Sequence, residues 1–331
     1  MDLDAYSAAH RTEWDDLARL GAKRRFTGDE ADALIERYQS GSSDLSAIKT
    51  TIGESAQGDR LSLGLSRARL RFTGTGRNLA SQLPLFFGYQ LPAALYRLRW
   101  LCLVIAVLTG IIALLYGVWA ATTPGVLSHY GTAAQRDQFV DQDFVKYYSD
   151  HAPSSFTGQV WTNNALIGAE CIAFGIIGIY APYLLFQNAE RLGMDGALMG
   201  THGRLDIFFL YIAPHGQLEL YSLFTAGAAG LAIFWSWIAP GARTRGQALA
   251  AEARALFTVV IGLALSLLVS GVIEGVVTRQ PWPWPIKIGI GTVALAGFLF
   301  YQWVIGRRAF RAGQTGDLDE FEAGARRIVS A

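Results

Sequence analysis

The chain has 331 residues, 51% of them hydrophobic and only 17% charged, with a formal net charge of +1 at pH 7. That balance is too apolar for ordinary soluble domains and too neutral to gather nucleic acid, so the chain reads as a membrane protein with no nucleic-acid partner. Cys102 and Cys171 both lie in apolar stretches, without the spacing of a disulfide framework or a cysteine metal site.

Residues 1–80 are polar and helix-patterned, with Trp14, Leu17 and Leu20 and then Leu34, Ile35 and Tyr38 at helical spacing. No basic segment followed by an apolar core occurs here, so no cleavable signal is expected. Thr27-Gly28-Asp29-Glu30 has the form of a capping box and predicts a helix start near Gly28. A break is expected at Gly41-Ser42-Ser43, followed by a polar helix through Ile48 and a basic helix bearing Arg60, Arg67, Arg69 and Arg71, whose positive face suits either water or anionic lipid headgroups. Phe72-Thr73-Gly74-Thr75-Gly76 is too short to be a phosphate loop.

Residues 81–99, with Pro84, Phe86, Phe87, Tyr89 and Pro92, form an aromatic approach suited to the membrane interface. The transmembrane part is expected over 100–306, and its first span, 101–121, carries no charge. An acidic excursion over 122–162 follows, expected outside because it is short of basic residues. The second span is read at 163–187, opened by Asn163-Asn164, interrupted by Glu170 and closed just before Asn188. Further spans are read at 256–278 and 287–306. A cytoplasmic tail over 307–331 starts with Arg307, Arg308 and Arg311, and Asp317 to Ser330 reads as a terminal amphipathic helix.

The apolar run Ile207 to Ala239 holds two ionisable side chains, His215 and Glu219, with Pro214 and Gly216 flanking the histidine. Proline and glycine there argue against an unbroken helix. If 206–240 crosses once, Arg243, Arg245, Arg254 and the C-terminal arginines fall outside; if it dips in and returns, they fall inside with Arg97, Arg99, Arg191 and Arg204. The positive-inside rule favours the second arrangement, a re-entrant segment turning at Pro214-His215-Gly216. The expected fold is therefore an all-α polytopic membrane protein: four full spans, a re-entrant broken segment and an N-terminal cytoplasmic helical domain. Both termini are placed on the cytoplasmic side of a bacterial inner membrane.

Ser266, Ser270, Glu274 and Thr278 recur every four residues and make a polar stripe on one helix face. A carboxylate at mid-membrane costs about 2.5 to 3.5 kcal/mol unless it is paired or neutralised. Asn163, Asn164, Asn188, Pro214, His215, Gly216, Glu219, Ser270 and Glu274 are accordingly the candidate functional cluster. They read either as a polar clamp between helices or as the lining of a protonatable transport pathway. A hydrolytic zinc needs three protein ligands; His215 and Glu219 give two, Glu274 a third only if the fold brings it near, and no HExxH occurs. No metal or cofactor is expected. Gly271 with Gly275, and Gly175 with Gly178, offer small faces for a homodimer or larger homo-oligomer.

Asn163-Asn164 at the start of a span, Asn188 before Leu192-Gly193, Pro214-His215-Gly216-x-x-Glu219-Leu220, and Glu274 ahead of Thr278 and Pro281 resemble the stage II sporulation protein M family of integral membrane proteins. The polar N-terminal part with Trp14 resembles members outside spore formers. Glu170 departs from the apolar residue expected at its place. The resemblance implies a non-enzymatic membrane scaffold that recruits envelope or peptidoglycan-remodelling partners; transport is the alternative, and an intramembrane zinc hydrolase ranks below both.

Overall fold

The computed structural model describes residues 3–23, 26–53, 55–72, 83–148 and 153–316. The helix expected over Asp317 to Ser330 lies outside these residues, as do Thr73 to Gly76. Among the described residues every regular element is helical, and the chain divides into two compact units, Met1–Gln82 and Leu83–Ala331.

The first unit is three helices, α1 Leu3–Ala22, α2 Gly28–Thr51 and α3 Ala56–Phe72. They close on Leu17, Leu20, Leu34, Ile48, Leu61, Leu65 and Ala68. The capping box forms at Thr27 and Glu30. The break expected at Gly41-Ser42-Ser43 is absent. Gly41 is where α2 meets the other two helices, a Cβ there lying 3.3 Å from both Leu17 and Leu65, and the Ser42 hydroxyl donates back to the Tyr38 carbonyl at 2.7 Å. The helix ends instead at Ile52 and Gly53, the latter at φ 89.

The second unit opens with a continuous helix over Leu83–Thr122, made of a widened turn at Phe86–Gln90 and α4 Leu91–Thr122. The aromatic approach at 81–99 is thus largely the first turns of this helix. After a short turn, α5 runs from Ala133–Gln138 through Phe139–Asp143 into Phe144–Tyr147. Then come α6 Pro153–Ala173, α7 Tyr180–Thr201, α8 Leu205–Ile238 and α9 Arg245–Val272, which continues as a widened turn over Ile273–Thr278. The last is α10, Trp284–Phe300 extended through Tyr301–Ile305 to Gly306–Arg311.

Among the described residues, four helices are long and apolar enough to cross a membrane: Leu83–Thr122, Leu205–Ile238, Arg245–Thr278 and Trp284–Arg311. α8 is the central one, its apolar window 67% buried against 17% for the α4 helix and 11% for α10. Large exposed side chains on α4 recur at Val104, Val107, Leu108, Ile111, Leu114, Leu115 and Val118, a helical period that marks a lipid-facing side.

The all-α architecture and the count of four long apolar helices among the described residues hold, but two stretches fold otherwise than expected. The run 206–240, expected to be re-entrant, is one continuous helix. The run 163–187, expected to span, is broken: α6 ends at Ala173, a tight turn covers Gly175–Ile177, and α7 returns. Gly178 there has φ 76, a left-handed conformation that favours glycine. The tip exposes Phe174, Ile176, Ile177 and Ile179, which suits an apolar layer rather than water. Its backbone is satisfied internally, with Ile177 N donating to the Phe174 carbonyl and Gly178 N to that of Gly175. Glu170, the residue that departed from the expected pattern, accepts from the Tyr180 hydroxyl at 3.1 Å across this hairpin.

The helix continues through Pro214. Gln217 Nε2 donates to the Ala213 carbonyl at 3.0 Å and to the Ile288 carbonyl of α10 at 3.3 Å, which ties this turn of α8 to α10. α10 presses close here: a Cβ on Gly291 would sit 2.0 Å from the Pro214 carbonyl oxygen. The glycines proposed for self-association are also used within the chain. Gly271 faces Thr157 and Trp161, Gly175 faces Gly230, and Gly178 faces Phe234.

Candidate functional site

His215 and Glu219 are four apart on α8 and share a face because the helix runs straight through them. Glu274 comes from α9, at the start of its widened turn, a local irregularity that often accompanies function. The two helices place His215 Nε2 3.8 Å from Glu274 Oε1. One ligand atom from each of His215, Glu219 and Glu274 lies within 4.8 Å of the others. Ser270, one turn before Glu274, has its hydroxyl 3.1 Å from the His215 carbonyl oxygen and 3.4 Å from Glu219 Oε2, so it can donate to either.

Asn163 and Asn164 of α6 line, with Tyr147, Gln159, Val160, Glu219 and Glu274, a cavity of about 350 Å³. α6 is held against α9 by two bonds, Thr157 Oγ1 to the Gly271 carbonyl at 3.2 Å and Trp161 Nε1 to the Ala264 carbonyl at 2.9 Å. Asn188, on α7, is not among the lining residues. Pro214 and Gly216 shape the helix rather than the cavity wall. Of the sequence-expected cluster, Asn163, Asn164, Glu219 and Glu274 line the cavity, His215 and Ser270 join it through Glu274 and Glu219, and Asn188 is left out.

Sequence reasoning missed the cover. The ring of Tyr148 stands 6.0 Å from that of His215, and Tyr147 reaches the cavity. Burial first, then the Glu274 and Glu219 carboxyls, push the Tyr147 phenol above its usual pKa. The only hint in the sequence was an adjacent pair of tyrosines in an otherwise acidic excursion, where aromatic residues favour the membrane interface.

His215 and Glu274 are 6% and 4% exposed. Two of their polar atoms, His215 Nδ1 and Glu274 Oε2, are buried with no hydrogen-bond partner among the described residues. An unsatisfied buried polar atom costs roughly 1 to 3 kcal/mol. A purely structural clamp would be expected to satisfy both. Below the cluster the contrast is plain: Ser222 and Ser266 share a bond of 2.8 Å, and Tyr221 donates at 2.6 Å to Gln302, whose amide donates at 2.9 Å to the Leu95 carbonyl.

The expectation of no metal counted two ligands, His215 and Glu219, with Glu274 a third only if the fold brought it near, and no HExxH. The fold brings Glu274 to His215 and Glu219, so one imidazole and two carboxylates converge, a set whose chemistry suits a borderline divalent ion.

Neither a curated protein nor a solved structure matches the chain. A family model described as a domain of unknown function, DUF8413, matches residues 4–74. That described as stage II sporulation protein M matches residues 102–279, a stretch that includes α8, α9 and all three residues of the His-Glu-Glu cluster. The chain is a membrane protein and belongs to the stage II sporulation protein M family.

Proposed function

We propose that the protein is a scaffold of the bacterial inner membrane that recruits partners acting on the cell envelope or its peptidoglycan. The observation that carries this reading is the division of the chain: Met1–Gln82 packs around a core of its own and matches a family model of its own, separate from the membrane unit. A self-contained polar helical module carried on the same chain as a membrane unit supports a recruiting role.

The charges support an orientation. Arg97, Arg99, Arg243, Arg245, Arg307, Arg308 and Arg311 belong to one end of the membrane unit, tied by Arg97 to Glu252 at 2.6 Å and to the Thr315 carbonyl at 3.1 Å. The positive-inside rule makes that end, and with it both termini, cytoplasmic. The α5 excursion and the His215 cluster then belong to the outer half.

Photocrosslinkers at exposed Asp15 and Glu36 of the first unit, and at exposed Asp137 of the excursion, test the reading in cells. Discrete envelope-protein adducts are expected, unchanged when Glu219→Gln is added. Adducts with lipid alone, together with a solute flux that Glu219→Gln abolishes, would replace the scaffold with a transporter.

A further inference from the structure

We propose that His215, Glu219 and Glu274 form a binding site for one divalent transition-metal ion, of the zinc class, at the edge of the cavity that Glu219 and Glu274 line. This goes beyond the scaffold reading and does not depend on it. Two observations support the site independently. The first is convergence: three ligand atoms from two helices lie within 4.8 Å of one another. The second is Glu274 Oε2, a buried carboxylate oxygen on a side chain that lines the cavity, which no neighbour among the described residues satisfies. The Ser270 hydroxyl is directed at the His215 carbonyl and Glu219 instead.

The first unit provides a contrast. His10, Glu13 and Asp44 also lie within metal-binding reach of one another. There Asp44 is already committed, one oxygen accepting from Tyr6 at 2.7 Å and the other from Trp14 at 2.9 Å. That cluster is a filled hydrogen-bond network; the membrane cluster is not.

The donor set narrows the ion. Calcium and magnesium prefer cages of oxygen, whereas an imidazole with two carboxylates suits zinc and its first-row neighbours. Bonds of about 2.0 to 2.2 Å to such an ion require donor atoms roughly 3.3 Å apart in a tetrahedron. The 3.8 Å from His215 Nε2 to Glu274 Oε1 is wider than that. Small rotations of the two glutamate side chains, each with three free torsions, bring the oxygens in. The remaining coordination position would open on Asn163, Asn164 and Tyr147, which line the cavity.

The test uses the full-length protein in detergent, stripped with EDTA. Zn²⁺ is titrated calorimetrically, and Co²⁺ is followed by its visible absorption, which reports a low-symmetry nitrogen and oxygen environment. One equivalent per chain is expected, together with a rise in melting temperature on adding Zn²⁺. His215→Ala and Glu274→Gln should each weaken binding by more than about tenfold, and His10→Ala should leave it unchanged. Glu219→Gln, nearly the same shape as the wild type, covers the case in which His215→Ala does not fold; it should lose the Zn²⁺-induced rise in melting temperature. No saturable binding by the wild type, binding that survives in Glu274→Gln and Glu219→Gln, or binding lost only in His10→Ala would overturn the proposal.

Discussion

The contact between Pro214 and Gly291 decides whether α8 can carry a proline and still present His215 to α9. A methyl group added at Gly291 would lie 2.0 Å from the Pro214 carbonyl oxygen and 2.8 Å from its carbon, both backbone atoms that cannot rotate aside. Ordinary contact begins near 3.4 Å, so Gly291→Ala must part the two helices by about 1.4 Å at that point. Overpacking costs about 1 to 3 kcal/mol, and a backbone obstacle puts this case near the upper end. Alanine recovers up to about 1 kcal/mol of helix propensity, leaving a net loss of about 2 kcal/mol. Gly289→Ala is the control on the same helix, because nothing lies within 4 Å of its added methyl. Thermal unfolding in detergent should show Gly291→Ala several degrees below the wild type and Gly289→Ala level with it or above. Equal melting temperatures for the two variants would refute the close approach of α10 to Pro214.

Further outcomes follow from other contacts. In the first unit, Asp44 is buried and accepts from Tyr6 and Trp14, so Asp44→Ala should destabilise that unit by about 2 to 3 kcal/mol, read by denaturant titration of Trp14 fluorescence; an unchanged midpoint contradicts the network. Lys23 first, then the Thr27 amide, holds the Glu30 carboxyl below its usual range. Its stabilising contribution is therefore present above the ordinary carboxylate pKa and lost as pH falls through the lowered value. An NMR titration of Glu30 should show the low midpoint, with Lys23→Ala moving it back up, and an ordinary midpoint in the wild type would count against the pair. Trp161→Phe removes the bond to the Ala264 carbonyl and should cost about 1 kcal/mol while loosening α6 from α9, seen as faster hydrogen exchange in α6.

Hydropathy made most of the membrane unit readable. The runs at 101–121, 256–278 and 287–306 fall within the long helices, because an uninterrupted apolar stretch of that length has few alternatives. The capping box at Thr27 was equally legible, being local chemistry. What misled was treating Pro214 and Gly216 as breakers on their own. Whether a proline breaks a buried helix depends on partners distant in sequence, here Gln217 reaching Ile288 and Gly291 yielding space, and periodicity carries no trace of them. The real turn, at Gly175–Ile177 and Gly178, was hidden for the opposite reason: its flanks are so apolar that the run looked continuous.

The same point governs the site. His215, Glu219, Ser270 and Glu274 were found because ionisable and hydroxyl groups stand out in apolar helices. Asn188 could not be placed without the packing. The cover by Tyr147 and Tyr148 was missed because the excursion's fold depends on aromatic contacts with Phe156 and Tyr211, which lie in other elements.

The crossing of α8 is the claim on which the orientation, the depth of the His215 cluster and the re-entrant role of α6 and α7 all depend. Single cysteines at Gly203 and Gly241, the turns before and after α8, probe it in a background where buried Cys102 and Cys171 are replaced by alanine. A membrane-impermeant maleimide applied to intact spheroplasts should label the cysteine at 203 and reach that at 241 only after lysis. Labelling of both from the same side would contradict the account and return 206–240 to a re-entrant segment.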